Sequence, residues 1–218
     1  MAGLKISTTS LYSNNLLSKV KDNTHTQRER ESKIKGISLF SGVGVSNAYL
    51  KDIGIEIVAA NELLEKRAEF YKHLYPKSNM IIGDIRDEKV FKQILTFAIK
   101  EKVQLLLITP PCQGFSLIGK NKNEEQILAD ESNFLIFKAI ELIEKCDFDY
   151  ILIENVPRFL TVSFPYKSAF KSLTEILVDK FSNEYHIEGN ILNARDYGVP
   201  QNRPRAIVKL YKKKYSWS

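Results

Sequence analysis

The sequence predicts an α/β fold: a seven-stranded, mostly parallel sheet with an antiparallel edge strand. Three observations lead there. From Ile34 onward, apolar runs of strand length alternate with longer helical patterns, the order that covers a parallel sheet on both faces. The segment Ile37 to Ser46 reads as strand, glycine turn, helix. The last two apolar runs are separated only by the short stretch Asn193 to Arg203, which makes them an antiparallel pair at the sheet edge.

The strands fall near 35–40, 55–60, 79–82, 103–109, 149–153, 185–192 and 205–211. Helical patterns occupy 43–52, 63–74, 87–100, 132–145 and 167–181. The first strand runs into Gly42 and Gly44, which let backbone approach a ligand at a helix start. A third glycine of the dinucleotide fingerprint is absent, and Asn47 stands in its place. A plain tight turn explains a lone G-x-G equally well. The second strand ends Asn61-Glu62, placing an acid about twenty residues beyond the glycines, where ribose hydroxyls are met. The third ends Gly83-Asp84-Ile85, and Asp84 is a candidate for an adenine amino group. Either acid alone also reads as a helix cap. Together, three successive strand ends carrying Gly-x-Gly, Glu and Asp indicate an adenosine-containing ligand without a pyrophosphate.

The fourth strand stops at Pro110-Pro111-Cys112-Gln113-Gly114-Phe115-Ser116. The prolines remove backbone donors and set a turn, holding Cys112 where strand ends of parallel sheets meet their ligands. A buried structural thiol is the plainer reading. The fifth strand, Ile151-Leu152-Ile153, ends in Glu154-Asn155-Val156-Pro157. An acid there costs desolvation unless used or paired, and burial favours the protonated form that a proton donor needs. The plainer reading is a salt-bridged loop Glu, with Arg158 as its partner. Gln201-Asn202-Arg203-Pro204-Arg205 sets two rigid guanidinium forks before the last strand.

Composition bounds the function. The chain has 218 residues, enough for one α/β domain and a tail, and its formal net charge is +6 with a pI near 9.1. That balance favours a polyanionic partner. Its two cysteines, Cys112 and Cys146, form neither a metal spacing nor a disulfide framework, which indicates a reduced, intracellular protein. No apolar run approaches membrane-spanning length. Residues 1–33 read as a polar N-terminal extension, and 34–218 as the catalytic domain.

In order, Phe40-x-Gly42-x-Gly44, Glu62, Gly83-Asp84-Ile85, Pro110 to Ser116, Asp130 to Leu135, Glu154-Asn155-Val156 and Gln201 to Arg205 resemble the DNA (cytosine-5) methyltransferase family. The Gly114-Phe115-Ser116 ending resembles its DNA-acting rather than its tRNA-acting branch. The resemblance implies a Rossmann-like S-adenosyl-L-methionine-dependent methyltransferase fold. It places Phe40, Gly42, Gly44, Glu62, Leu63, Asp84, Ile85, Pro111 and Leu135 around that cofactor, with no metal. It assigns Cys112 as nucleophile on C6 of a flipped-out cytosine, Glu154 to its N3, Arg203 and Arg205 to the base O2 and the carboxylate, and Asn155 to the loop.

The family's target recognition domain, Gln-Gly and Gly-Asn motifs are not found in these residues. The expectation is therefore one subunit of a split enzyme in a restriction-modification system, acting in the cytoplasm on double-stranded DNA with a second polypeptide that carries those parts. The alternative is a truncated or regulatory protein that binds cofactor or partner without turnover. A nucleotide-dependent oxidoreductase is a third reading; the incomplete glycine fingerprint and the Pro-Pro-Cys turn speak against it.

Overall fold

A computed structural model describes residues 34–111 and 135–215 of the chain. The expectations for the extension over 1–33, for Cys112 to Ser116 and for Asp130 to Phe134 lie outside the described residues.

Seven strands form one sheet: β1 (Ile34–Leu39), β2 (Ile55–Glu62), β3 (Asn79–Ile82), β4 (Leu105–Ile108), β5 (Tyr150–Asn155), β8 (Tyr185–Asn193) and β9 (Pro204–Lys212). Their spatial order is β3-β2-β1-β4-β5-β9-β8. The first five run parallel, and β9 is antiparallel to both β5 and β8. Strand order runs outward in one direction from β1 through β2 to β3, and in the other through β4 to β5. The reversal lies between β1 and β4, where the carboxyl ends of open α/β sheets form a crevice.

Local composition explains the burial. All four residues of β4, Leu105 to Ile108, are buried, as are the last four of β1. A strand buried on both faces reads as an unbroken apolar run rather than an alternation. Helices α1 (Glu65–Leu74), α2 (Glu88–Lys100), α3 (Leu135–Lys145) and α4 (Leu173–Phe181) supply the remaining layers. The apolar stripe of α3, Ile136, Ala139, Ile140 and Ile143, recurs at helical spacing and is buried in the core with Phe91 and Ile94 of α2. Among the described residues no helix is long and apolar enough to cross a membrane.

Two helical expectations need correction. Residues 43–52 form no α-helix but two short 3-10 turns, Val45–Asn47 and Leu50–Ile53. Gly44, Tyr49 and Gly54 all adopt left-handed backbone, which an α-helix cannot accommodate. The helix expected over 167–181 begins only at Leu173. Before it, β6 (Ser163–Tyr166) and β7 (Ala169–Ser172) form a separate hairpin, turned at Lys167 with φ 54°. The boundary is a capping box: the Ser172 hydroxyl accepts from the Glu175 N–H, and the Glu175 carboxylate accepts from the Ser172 N–H.

Candidate active site

The crevice at the carboxyl ends of β1, β2, β3 and β4 is shaped first by backbone. Phe40 and Gly42 both have φ 57°, so the chain leaves β1 through a left-handed turn. The Gly42 N–H donates to Glu62 Oε2 at 2.8 Å, and the Leu64 N–H donates to Oε1 of the same carboxylate at 3.0 Å. Glu62 thus ties the glycine turn to the start of α1, and each oxygen keeps a lone pair for a further donor. Asn61, buried beside it, donates to the carbonyls of Ile81 and Gly83 and pins the end of β3. The Asn61 carbonyl in turn accepts from the Ser41 N–H.

Gly44 turns away from the crevice. Its carbonyl accepts from the Tyr75 hydroxyl at 2.7 Å, and a Cβ there would lie 2.3 Å from the Tyr75 ring and 2.9 Å from that of Tyr71. With φ 86° as well, the position admits no side chain. Gly54 has φ 80° but nothing within 4 Å of a built Cβ. Gly44→Ala is expected to destabilise the domain by about 2–4 kcal/mol, left-handed strain plus overpacking, and Gly54→Ala by about 1 kcal/mol from strain alone. Urea unfolding of the two variants separates the contributions. Asn47, in place of the third glycine, is buried and donates to the Tyr71 hydroxyl at 2.8 Å, so that position packs the turn onto α1.

Two adjoining cavities occupy the crevice. The first, about 420 Å³, is lined by Phe40, Asn61, Glu62, Leu63, Leu64, Arg67, Gly83, Asp84, Ile85, Arg86, Thr109, Pro111 and Leu135. Carboxylates at one side and apolar Phe40, Ile85, Pro111 and Leu135 around them suit a flat heterocycle with hydroxyl and amino donors. Asp84, the candidate for an adenine amino group, lines this cavity and is already paired. Arg86 clamps both its oxygens, Nε to Oδ1 at 3.1 Å and Nη2 to Oδ2 at 2.6 Å, and holds its carboxyl below the usual range. An adenine amino group at Asp84 would share that carboxylate with the guanidinium.

The second cavity, about 520 Å³, is lined by Ser41, Gly42, Val43, Val45, Ser46, Arg67, Thr109, Glu154 and Arg203. Glu154 is only partly buried, and its partner is not Arg158: Arg205 Nε lies 2.8 Å from Oε1. The antiparallel register explains this, because β9 runs beside β5 with Ile207 opposite Glu154 and Arg205 two residues earlier. Asn155, fully inside, donates to the Pro110 carbonyl at 3.2 Å and accepts from the Val156 N–H at 2.8 Å. It thereby straps the Pro-Pro turn to the strand that bears Glu154. Asn155 and Arg205 line neither cavity; Arg205 holds Glu154, which does, and Asn155 holds Pro110, the residue before the lining Pro111. Arg203 is exposed, and its N–H donates to Asn193 Oδ1 at 3.0 Å, fixing the loop between β8 and β9.

Three residues of the site escaped sequence reasoning. Thr109, immediately before the prolines, donates its hydroxyl to the Phe40 carbonyl at 3.1 Å and joins β4 to β1. Asn61 sits one residue before the acid that drew notice. Arg67, on α1, lines both cavities. Nothing about a single arginine in a charged helix marks it out. Among the described residues no His/Cys/Asp/Glu cluster could hold a metal ion.

Comparison with known proteins fits this geometry. The family model for C-5 cytosine-specific DNA methylases matches residues 34–218. The type II methyltransferase M1.HgaI of Avibacterium volantium is 44% identical over 188 residues, covering 86% of this chain and 53% of that protein. M.Bsp6I of Bacillus sp. strain RFL6 is 35% identical over 173 residues, covering 78% of this chain and 50% of its own length. The solved structure of a Spodoptera frugiperda DNMT2 mutant superposes with a TM-score of 0.63 at 25% identity, over 84% of this chain and 51% of that one. The chain spans about half the length of the curated relatives it matches.

Proposed function

We propose that this chain, which belongs to the C-5 cytosine-specific DNA methylase family, is the catalytic part of a DNA (cytosine-5) methyltransferase that uses S-adenosyl-L-methionine. Residues 34–218 are its catalytic domain, preceded by the extension over 1–33. The observation that carries the reading is the convergence at the crevice: Asn155 straps the turn leading to Cys112 onto β5, whose Glu154, paired with Arg205, faces a cavity adjoining the acid-lined one.

The cofactor supplies an electrophilic methyl group. The chain does the rest. The Cys112 thiolate adds to C6 of a cytosine swung out of the duplex, since C6 is hidden in the stack. Glu154 gives a proton to N3, so the electron pair released by the addition collects as an enamine at C5 rather than as a bare anion. C5 then takes the methyl group, whose former bonding pair leaves with S-adenosylhomocysteine; the C5 proton is lost to a base, the C6–S bond breaks to restore the ring and the thiolate, and N3 returns its proton to Glu154. Arg205 keeps Glu154 aimed at N3, and Arg203 lines the same cavity, where it can meet the base O2.

A second polypeptide supplies target recognition. What supports this is an exposed apolar surface near the start of β2. There Tyr49 and Ile53 are 82% and 71% exposed, and Tyr49 borders a cavity of about 350 Å³ with Leu50, Leu74 and Pro76. Apolar exposure on that scale marks interfaces. The site belongs to a restriction-modification system and works on double-stranded DNA inside the cell.

The test is a methylation assay on duplex DNA, with this chain alone and mixed with the product of an adjacent gene. Tritium transfer to C5 of cytosine at one sequence, dependent on the mixture, is the expected result. Specific methylation by this chain alone would refute the partner, and no methylation under either condition would refute the enzyme. Glu62→Ala should weaken binding of the demethylated cofactor, S-adenosylhomocysteine, by about 1–3 kcal/mol in calorimetry. NAD binding in preference would reject the cofactor.

A further inference from the structure

We infer that Arg67 is the receptor for the amino-acid carboxylate of the cofactor, an inference that rests on the S-adenosylmethionine reading above. Among the described residues, Arg67 and Thr109 are the two whose side chains line both cavities of the crevice. A ligand with its nucleoside beside Glu62 and Asp84 and its methyl group toward Glu154 must run its amino-acid tail past that boundary. The tail ends in a carboxylate.

The charges around it make an unengaged cation necessary. Glu62, Asp84 and Glu154 put three carboxylates into the crevice. Two arginines there are already committed, Arg86 to Asp84 and Arg205 to Glu154. Arg203 lies only on the Glu154 side. The Thr109 hydroxyl donates to backbone carbonyls of Leu39 and Phe40 and has no proton left to give. Arg67, among the described residues, carries no ion pair and is exposed at the mouth of both cavities. Its planar fork suits bidentate capture of a carboxylate. Because α1 is anchored through Glu62 to the glycine turn, the guanidinium is carried on an element already fixed to the cofactor site.

The experiment compares two ligands of the whole chain by calorimetry. S-adenosylhomocysteine carries the amino-acid tail; 5′-methylthioadenosine has the same nucleoside and sulfur without it. Arg67→Gln should weaken S-adenosylhomocysteine about 10- to 100-fold, the loss of a charged bidentate pair, and leave methylthioadenosine unchanged. Arg67→Lys, which keeps the charge and loses the fork, should fall between. Equal weakening of both ligands would reduce Arg67 to a structural role and overturn the inference. Unchanged S-adenosylhomocysteine affinity with weakened DNA binding would place Arg67 on a nucleic-acid phosphate instead and also overturn it. In both cases methylthioadenosine binding to the unmodified chain leaves the cofactor reading standing. Failure of the unmodified chain to bind either ligand would remove both.

Discussion

Replacing Cys112 by serine is expected to abolish methyl transfer, by about 10³-fold or more, while leaving S-adenosylhomocysteine affinity unchanged. A serine hydroxyl is almost wholly protonated at neutral pH and cannot add to C6, whereas the proposed cofactor contacts lie mainly on the ends of β1, β2 and β3. With S-adenosyl-L-methionine and the second polypeptide present, duplex DNA containing 5-fluorocytosine should form a covalent adduct with the unmodified chain and not with the serine variant, because fluorine at C5 blocks the proton loss that releases the enzyme. The second cysteine provides an internal control. Burial pushes the Cys146 thiol up to about 11, so at pH 8 it is on the order of 0.1% thiolate. Brief iodoacetamide treatment at pH 8 should therefore modify Cys112 first and eliminate activity, with Cys146 untouched on peptide mapping. An active serine variant, or inactivation that tracks Cys146, would sink the assignment.

Glu154→Gln should lower single-turnover methylation by about 10²- to 10⁴-fold, the usual range for loss of a positioned proton donor. The amide still accepts a hydrogen bond from Arg205 but has no proton to deliver to N3. Stability should hardly change. The Glu154–Arg205 pair is partly exposed, at 33% and 22% of the two side chains, and after solvent screening it contributes about 1 kcal/mol or less. A rate loss equivalent to roughly 3–5 kcal/mol with so small a shift in the unfolding midpoint cannot come from unfolding. Methylation at the unmodified rate would show that Glu154 is only the partner of Arg205. A large drop in the unfolding midpoint would make the pair structural first.

Much of the fold was legible because a strand buried on both faces needs an unbroken apolar run, and β4, Leu105 to Ile108, has one; β5 shows a similar run from Tyr150 to Ile153. The antiparallel placement of β9 followed from a connection too short for a crossover. Two segments misled. Residues 43–52 carry helix-compatible side chains, but Gly44, Tyr49 and Gly54 are left-handed, and Tyr49 gives no local sign of it. The β6–β7 hairpin is short and half exposed, so its alternation is weak. The Ser172-x-x-Glu175 capping box was the available signal for where α4 begins.

At the site, the residue types and the strand ends that carry them came from the sequence by itself: Glu62, Asp84 and Glu154 each close a predicted strand, and Gly42 follows one. These are local facts, set by apolar period and by the residues that end a strand. Only the tertiary structure decided the partners. It gave Glu154 to Arg205, fifty-one residues away, rather than to nearby Arg158, because the β5–β9 register brings β9 alongside. It turned Gly44 toward Tyr71 and Tyr75, set Arg86 on Asp84, and made Asn155 a strap on Pro110. It also put Arg67 between two cavities. Pairing of this kind depends on distances set by sheet order and helix docking, which no window of sequence contains.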